Sequence, residues 1–340
     1  MKSQIINKKI FIIAEVAQAH DGSLGIAHAF IDSVSKTGAD AIKFQTHIAE
    51  AETTRLEPWR IKFSTQDRTR YDYWKRMEFS EEQWRELKKH SKEVGLKFIS
   101  SPFSIEAVDL LNNIGVYMWK IPSGEITNFP MLEAIIDTEK DIIISTGMSP
   151  LSEIDNTVKF LSKAKSNLTV LQCTSMYPTP PENIGLDMIE EYRKRYSCDV
   201  GLSDHSGKIY AGLAAATLGI DVLEVHVTLS KDMFGPDVTS SITILELTDL
   251  VQGIRFIEKI NLKKINKDKL ARELEPMRKI FTKSIYYKND IKKDVILKKN
   301  YLQLKKPGDG VGADQLGELI GRRMKKGVKK GEKLSLSDIV

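Results

Sequence analysis

The sequence predicts an α/β protein in which a closed (β/α)8 barrel is followed by a small β-rich domain. Eight apolar, β-branched segments recur over about 250 residues, and segments with the apolar spacing of amphipathic helices separate them. The alternative is an open, doubly wound sheet. Such a sheet usually has a glycine-rich phosphate-binding turn after its first strand, and the segment AEVAQAHDGS at that place has none.

The predicted strands are short runs rich in isoleucine, valine and other apolar residues. In chain order they are IFIIAEVA from Ile10, AIKFQTH from Ala41, KFISSPF from Lys97, YMWKIPSG from Tyr117, DIIISTGM from Asp141, LTVLQCTS from Leu168, DVGLSDHS from Asp199 and VLEVHVTL from Val222. Among the helical segments, the one after Phe79 has the clearest signals. Ser80 and Gln83 have the spacing of a capping box, and Gly95 is placed to end the helix.

The pattern changes after the barrel, which we expect to occupy residues 1–260. The segment KINLKKINKDKLARELEPMRK is basic and helix-like with few core residues, so residues 261–280 are predicted to be a linker. Residues 281–340 contain the short β-like pieces SIYY and VILKKNYLQLKK and the turn-rich KPGDGVGAD. About sixty residues make only a marginal core. We therefore expect a small β-rich domain that relies on a neighbour.

Composition and charge narrow the class of protein. The net charge is +5, from 51 basic and 46 acidic side chains, which suits anionic small molecules better than nucleic acid. The two cysteines form no disulfide framework. The N-terminus lacks the apolar core and cleavage site of a signal peptide, and no apolar stretch reaches the ~20 residues that span a bilayer. We expect a cytoplasmic protein that binds neither membrane nor nucleic acid.

Polar and ionisable side chains stand at the carboxyl ends of the predicted strands. In a (β/α)8 barrel these ends gather at one mouth, where active sites lie. Side chains alternate along a strand, so residues two apart, such as Glu224 and His226, share a face. The residues predicted to ring the mouth are Glu15, Lys43, Gln45, Ser101, Lys120, Ser123, Glu125, Ser145, Ser175, Tyr177, Ser203, His205, Glu224 and His226.

Two lysines in this ring, Lys43 and Lys120, indicate an anionic ligand. A single lysine near a strand end is more often a surface residue. Two lysines among several hydroxyls suit a ligand that carries both phosphate and carboxylate. Without such a partner, each ammonium in the barrel mouth would cost several kcal/mol in lost hydration.

Two histidines, His205 and His226, end adjacent predicted strands. Either one alone is more often a hydrogen-bonded core residue. Together they are able to ligate one divalent metal ion, with water and substrate oxygens completing the coordination. Two protein ligands are too few for a closed structural zinc site, so the ion would be catalytic and exchangeable.

A series of motifs in fixed order resembles the N-acetylneuraminate (sialic acid) synthase family, which includes the legionaminic and pseudaminic acid synthases. The motifs are FIIAEVAQAHDGS, GADAIKFQT, FISSPFS, KIPSGE, STGMS, LQCTSMYPTPPE, GLSDHS, EVHVTL and GPD. The resemblance implies that the barrel is a TIM barrel. From Phe281 onward the chain is similar to the family's C-terminal antifreeze-like domain, which has the SAF (β-clip) fold.

The resemblance implies an activity: phosphoenolpyruvate condenses with an N-acetylmannosamine-type sugar to a nine-carbon 2-keto-3-deoxy acid, and C–O cleavage releases phosphate. The implied phosphoenolpyruvate contacts are Lys43, Ser101, Lys120, Ser123, Ser145, Ser175, Tyr177 and Ser203. The residues implied around the sugar are Glu15, Gln45, Glu125, Asp237 and Lys306. His205 and His226 would ligate manganese or magnesium, which would activate the open-chain aldehyde. Glu15, Glu125 and Glu224 complete the implied catalytic set.

Departures from the family pattern concentrate near the acceptor sugar. Ala19 stands where Asn is frequent, Ser175 where some members have Asn, and Val238 where many have His. Lys306 replaces an arginine that commonly reaches the acyl group, and lysine lacks the bidentate fork. The sugar therefore stays open among N-acetylmannosamine, its 6-phosphate and a diacetamido-trideoxyhexose.

The resemblance also implies a domain-swapped homodimer in which the antifreeze-like domain caps the partner subunit's barrel. Two alternatives remain for the activity. Another phosphoenolpyruvate-dependent 3-deoxy-ulosonate synthase would share the lysines and the metal, but would need a further basic pocket for the acceptor's phosphate. A non-catalytic barrel would instead use the basic C-terminal third to bind an anionic polymer.

Overall fold

Eight parallel strands form a closed barrel in the computed structural model, which describes residues 9–340. The strands are β1 (Phe11–Ala17), β2 (Ala41–Thr46), β3 (Lys97–Pro102), β4 (Trp119–Ile121), β5 (Ile142–Ser145), β6 (Leu168–Cys173), β7 (Asp199–Asp204) and β8 (Val222–Thr228). Each strand pairs with the next, and β1 pairs with β8 to close the ring. The predicted (β/α)8 TIM barrel is confirmed. A two-residue strand, β9 (Ile242–Thr243), pairs in parallel with the end of β8.

Helices follow the strands along the chain. They are α1 (Leu24–Ser35), α2 (Ala49–Glu52), α3 (Arg70–Met77), α4 (Glu81–Glu93), α5 (Ile105–Ile114), α6 (Phe129–Ile136), α7 (Leu151–Leu161), α8 (Asp187–Tyr196), α9 (Tyr210–Thr217) and α10 (Ile244–Asn261), with 3-10 turns at Pro181–Asn183 and Val238–Ser240. Helices α2 and α3 contribute residues to the cavity described below. The predicted start of α4 is confirmed, because Ser80 and Gln83 form a capping box. Within the part of the chain that the structure describes, no helix has the length and apolarity needed to cross a bilayer.

Two apolar layers lie on the two sides of the barrel wall. The outer layer joins the strands to the helices and includes Phe30, Trp84 and Trp119. The inner layer fills the barrel interior and consists of Ile13, Ala41, Ile99, Ile143, Leu171 and Val222. These residues occupy inward-facing positions of β1, β2, β3, β5, β6 and β8, and they form a floor below the carboxyl ends of the strands.

The chain divides into two compact units, one ending at Lys263 and the other spanning Lys264–Val340. The second unit contains α11 (Lys267–Glu273), α12 (Glu275–Phe281), β10 (Ser284–Tyr287), β11 (Leu302–Lys305) and α13 (Leu316–Leu319), with 3-10 turns at Lys299–Tyr301, Ala313–Gln315 and Leu336–Asp338. It has its own core around Tyr287, Leu297 and Met324. A small β-rich domain is therefore present. The bounds 1–260, 261–280 and 281–340 and the SAF assignment stay predictions, and residues 1–8 lie outside the described residues.

Candidate active site

The inward-facing side chains change from apolar to polar toward the carboxyl ends of the strands. On β1, Ile13 belongs to the floor and Glu15 stands two residues further on; on β5, Ile143 and Ser145 have the same relation. Side chains two positions apart point to the same side of a strand. A polar layer therefore lies directly above the apolar floor, inside the barrel mouth.

A cavity of about 540 Å³ opens above this layer. The predicted residues that line it are Glu15, Lys43, Gln45, Lys120, Ser123, Glu125, Ser145, Ser175, Tyr177, Ser203, His205, Glu224, His226 and Asp237. Ser101 is fully buried on β3 and does not line the cavity. Lys306 belongs to the second unit, so its sugar contact stays a prediction.

Four buried charges occupy the inner pocket, which we define as the part of the cavity lined by the strand ends. The Lys43 ammonium pairs with Glu15 and lies 3.8 Å from one oxygen of Glu224. The ammonium of Lys120 lies 3.2 Å from the other Glu224 oxygen. All four side chains are at most 4% exposed, so their attraction acts in a medium of low dielectric constant. Two positive and two negative charges balance one another here.

The surroundings shift the ionisation of this group. Burial lowers the pKa of Lys120, because it penalises the ammonium form; Glu224 opposes this shift, while the charge of Lys43 adds to it. Burial works against ionisation of Glu224 as well, yet the two lysines hold its pKa well below its ordinary value. Glu224 is therefore a carboxylate, available to stabilise positive charge in the inner pocket.

Serine hydroxyls line the same cavity as the lysines, and some buried hydroxyls of the barrel have no hydrogen-bond partner. The Ser145 and Ser101 hydroxyls are buried without a hydrogen bond to any described residue, which costs about 1–3 kcal/mol each. The Gly147 N–H donates to Ser123 Oγ at 2.9 Å. A Cβ atom on Gly147 would lie 2.2 Å from Ser175 Oγ and 2.7 Å from Ser123 Oγ, so only glycine fits. This concave set of hydroxyls and ammonium groups suits an oxyanion.

The two predicted metal ligands are neighbours, with ring centroids 5.1 Å apart. His205 Nδ1 lies 3.0 Å from the carbonyl oxygen of Thr174, which only accepts hydrogen bonds. Nδ1 therefore carries the proton and Nε2 keeps a free lone pair. Burial lowers the pKa of His205 to about 3, with the adjacent His226 adding to the shift, so the ring is neutral. Tyr177 stacks on its face at 4.3 Å.

These histidines fit an open metal site rather than a closed one. In residues 9–340 no three or more His, Cys, Asp or Glu side chains are grouped to enclose an ion. His205 and His226 both line the cavity, and a neutral imidazole is the form that binds a metal. Two imidazoles that face a cavity leave room for water and substrate oxygens as further ligands.

Sequence reasoning missed the second half of the cavity. We define this outer pocket by Glu52, Glu57, Trp59, Arg60, Phe63, Arg70, Tyr73, Trp74, Phe103, Glu125 and Asp237, of which only Glu125 and Asp237 were predicted. Trp59, Arg60 and Phe63 belong to residues 53–69, here called the mouth loop, which contain no helix or strand. The length of the mouth loop was the one sequence feature that could have indicated this pocket, because long irregular connections in compact domains are often functional.

Contacts to two other parts of the barrel hold the mouth loop over the cavity. The Arg60 guanidinium lies 2.6 Å from Asp237 and 4.2 Å from the ring centroid of Tyr177. Phe63 lies 5.4 Å from Phe234, measured between ring centroids. Arg60 therefore connects the loop to Tyr177, whose other face lies on the His205 ring.

His47 occupies the wall between the two pockets. Its ring lies between Trp74 and Phe103, with centroids 4.0 and 4.3 Å away. The amide nitrogen of Gln18 lies 2.7 Å from Nε2 and is a donor, so Nε2 accepts. Nδ1 therefore carries the proton and donates it to Glu52 Oε1 at 2.7 Å.

The chain of hydrogen bonds continues into the inner pocket. Gln18 also donates to Gln45 Oε1 at 2.8 Å, and this bond fixes which end of the Gln45 amide carries the nitrogen. That nitrogen donates to Glu15 Oε1 at 2.8 Å. Glu15 is thus held from one side by Gln45 and from the other by Lys43. Glu52 and Glu15 therefore belong to one continuous network.

Comparisons with known protein sequences give a consistent set of relatives. The NeuB family model matches residues 30–266. The N,N'-diacetyllegionaminic acid synthase of Campylobacter jejuni serotype O:2 is 36% identical, over 96% of this chain and 98% of that protein. The human N-acetylneuraminate-9-phosphate synthase is 34% identical, over 92% of this chain and 88% of that protein.

A solved structure agrees as well. The N-acetylneuraminic acid synthetase of Leptospira borgpetersenii, crystallised with citrate, superposes with a TM-score of 0.71 at 30% identity. The match covers 82% of this chain and 95% of that one. The chain therefore belongs to the NeuB family and is an enzyme, a transferase of the N-acetylneuraminate synthase type.

Proposed function

We propose that the enzyme condenses phosphoenolpyruvate with an N-acetylated mannose-type sugar, forming a nine-carbon 2-keto-3-deoxy acid and releasing phosphate. The observation that carries the proposal is the inner pocket: Lys43 and Lys120 stand among serine hydroxyls, beside two imidazoles that face the same cavity. The relatives are named for sialic acids of this kind, N,N'-diacetyllegionaminate and N-acetylneuraminate 9-phosphate, which supports the same product class.

The charges of the cavity support joint binding of phosphoenolpyruvate and a divalent cation. Six carboxylates and four lysine or arginine side chains line it, which leaves an excess of two negative charges. Phosphoenolpyruvate itself carries up to three negative charges, so a compensating cation favours its entry. His205 and His226 would hold manganese or magnesium. When bound, that ion supplies Lewis acidity toward the aldehyde of the open-chain sugar.

The residues of the inner pocket have distinct roles in the proposed reaction. Lys43, Lys120 and the serine hydroxyls hold the phosphate and carboxylate, so that carbon 3 of the enol ester faces the sugar aldehyde. As carbon 3 forms the new C–C bond, positive charge develops at carbon 2. The carboxylates of Glu15 and Glu224 stabilise that charge. Water then adds to carbon 2, and the intermediate loses phosphate by breaking its C–O bond, leaving the keto group.

Glu125 is the proposed proton-transfer residue on the sugar side. Burial raises its pKa, and although a hydrogen bond from Asn128 opposes this shift, the charge of Glu52 adds to it. A carboxyl group with a raised pKa exchanges a proton more readily near neutral pH. Glu15, which accepts hydrogen bonds from Gln45 and Lys43, is the alternative.

We also propose a cytoplasmic homodimer in which an antifreeze-like SAF domain, residues 281–340, caps the partner subunit's barrel and brings Lys306 near the sugar. Large apolar side chains exposed within each unit support an interface: Phe256 and Ile260 on α10, and Ile280 and Phe281 on α12. Cys173 and Cys198 are free, as in a reducing compartment. A chain ending at Arg278 that kept full activity would contradict the capping role.

The decisive experiment follows phosphoenolpyruvate labelled with ¹⁸O in its bridging oxygen. The enzyme is incubated with N-acetylmannosamine, its 6-phosphate or a diacetamido-trideoxyhexose, with and without a chelator. We expect the label to leave in phosphate and the chelator to stop its release, while mass spectrometry finds the nine-carbon acid. Absence of phosphate release with all three sugars would refute the proposal, and label retained in the organic product would refute C–O cleavage.

A further inference from the structure

The outer pocket carries uncompensated negative charge. Its two arginines are already paired, Arg70 with Glu57 at 3.2 Å and Arg60 with Asp237 at 2.6 Å. In the described part of the chain, Glu52 and Glu125 have no ion pair with lysine or arginine. Among the described residues that line the cavity, a dianionic phosphate in the outer pocket would therefore meet carboxylates without an unpaired lysine or arginine to offset them.

Glu52 has one carboxylate oxygen whose hydrogen-bonding capacity is unsatisfied in the described residues. Its side chain is only 7% exposed and lines the cavity. Oε1 accepts from His47, whereas Oε2 is buried and has no hydrogen-bond partner among residues 9–340. Since carboxylate oxygens only accept hydrogen bonds, the group that satisfies Oε2 must be a donor.

Aromatic rings form the rest of the outer wall. Trp74 and Phe103 cover both faces of His47, and Trp59 lies 5.6 Å from Phe63 between ring centroids. The indole nitrogen of Trp74 already donates to Glu57 at 2.9 Å. The rings thus offer flat apolar surface, which suits ring C–H groups, a methyl or an acetyl.

We infer that Glu52 is a specificity-determining residue for the acceptor sugar. The outer pocket takes an uncharged end of the sugar that donates an O–H or N–H to Glu52 and lays apolar groups against the rings. It excludes a sugar phosphate, which presents acceptors and negative charge to Glu52 and Glu125. The inference rests on the proposed function and extends it, because it chooses among the three candidate acceptors by class: unphosphorylated rather than phosphorylated.

The test compares the full-length enzyme with its Glu52→Gln variant and with Glu50→Gln, a matched control on the exposed side of the same helix, α2. Phosphate release from phosphoenolpyruvate is measured against unphosphorylated sugars and N-acetylmannosamine 6-phosphate. We expect the unmodified enzyme to prefer an unphosphorylated sugar by about 100-fold in kcat/KM. Glu52→Gln should raise the KM for that sugar about tenfold at similar kcat, because its amide replaces an acceptor by a donor.

The ratio of kcat/KM between unphosphorylated and phosphorylated sugars distinguishes a role of Glu52 in sugar recognition from a role in folding. Glu52→Gln should narrow the preference about tenfold, since it removes one repelling charge, while the KM for phosphoenolpyruvate and the thermal unfolding midpoint stay unchanged. Glu50→Gln should leave kcat and the KM values for both substrates unchanged. Preference for the 6-phosphate by the unmodified enzyme, or an unchanged ratio in Glu52→Gln, would overturn the inference and leave the proposed function standing. Failure of every sugar to release phosphate would instead overturn the proposed function.

Discussion

The inner and outer pockets are built in different ways. The inner pocket consists of side chains at the ends of barrel strands, above an apolar floor, and its two lysines are matched by Glu15 and Glu224. The outer pocket consists mainly of the mouth loop and helix α3, with aromatic rings and unmatched carboxylates. Strands hold their side chains precisely enough for bond formation. The side chains of a loop, in contrast, can be substituted without disturbing the strands. Under the proposed function, the first region carries out the chemistry and the second selects the sugar.

The largest expected effect comes from Lys120→Met in the inner pocket. Phosphate release should fall about a thousandfold, because the ammonium both holds the anion and balances Glu224. Affinity for phosphoenolpyruvate, measured by calorimetry, should fall with it. Lys97→Met is the matched control, since Lys97 is exposed at the start of β3. Activity of Lys120→Met within tenfold of the unmodified enzyme would show that the inner pocket is not the anion site.

Removal of the metal should have the next largest effect. A chelator is expected to lower phosphate release at least about 100-fold, and added Mn²⁺ should restore it. In His226→Gln the same addition should restore little, because one of the two ligands is missing. His28→Gln, on the outer helix α1, serves as the control and should respond like the unmodified enzyme. Full activity of His226→Gln in the presence of chelator would contradict the metal assignment.

Gly147→Ala tests the anion cradle without removing a charge. Its Cβ would lie 2.2 Å from Ser175 Oγ and displace the hydroxyls. We expect the KM for phosphoenolpyruvate to rise about tenfold and unfolding free energy to fall by about 1–3 kcal/mol. Gly25→Ala is a suitable control, because its nearest contact would be an ordinary 3.8 Å. An unchanged KM would mean that these hydroxyls do not contact the anion.

The smallest effect is expected in the outer pocket, from Arg60→Met. The change removes the contacts to Asp237 and Tyr177 that hold the mouth loop. The KM for the sugar should rise about fivefold, while the KM for phosphoenolpyruvate and the unfolding free energy stay within error, since the pair is partly exposed. Arg55→Met, in the same loop but outside the cavity, is the comparison. A larger change in the KM for phosphoenolpyruvate than in the KM for the sugar would contradict separate roles for the two pockets.

The sequence predicted the inner pocket well because strand alternation is a local property. Glu15, Lys43 and Glu224 each follow an apolar run at a position that the two-residue period makes inward-facing, and the barrel brings them together. Ser101 obeyed the same rule, yet lies buried on β3 and outside the cavity lining. The period gives the direction of a side chain but not its depth.

The outer pocket was missed because no local period describes it. Arg60 meets Asp237, a residue 177 positions later in the chain, and neither lies in a helix or strand. Glu52 and Trp74 lie on short helices whose amphipathic pattern gives no reason to single them out. Their place over the barrel mouth depends on tertiary contacts, which a single sequence does not reveal.

The hydrogen-bonded chain from Glu52 through His47, Gln18 and Gln45 to Glu15 has a consequence for engineering. A graft that replaces only residues 53–69 to admit a different sugar would leave this hydrogen-bond network intact. We expect the turnover rate to be retained. A graft that extends back through His47 would remove a hydrogen-bond partner of Gln18 and so weaken the support of Gln45 and Glu15. We expect such a graft to lower turnover more than sugar binding. The grafted segment should therefore begin after Glu52, so that every residue of the network is kept.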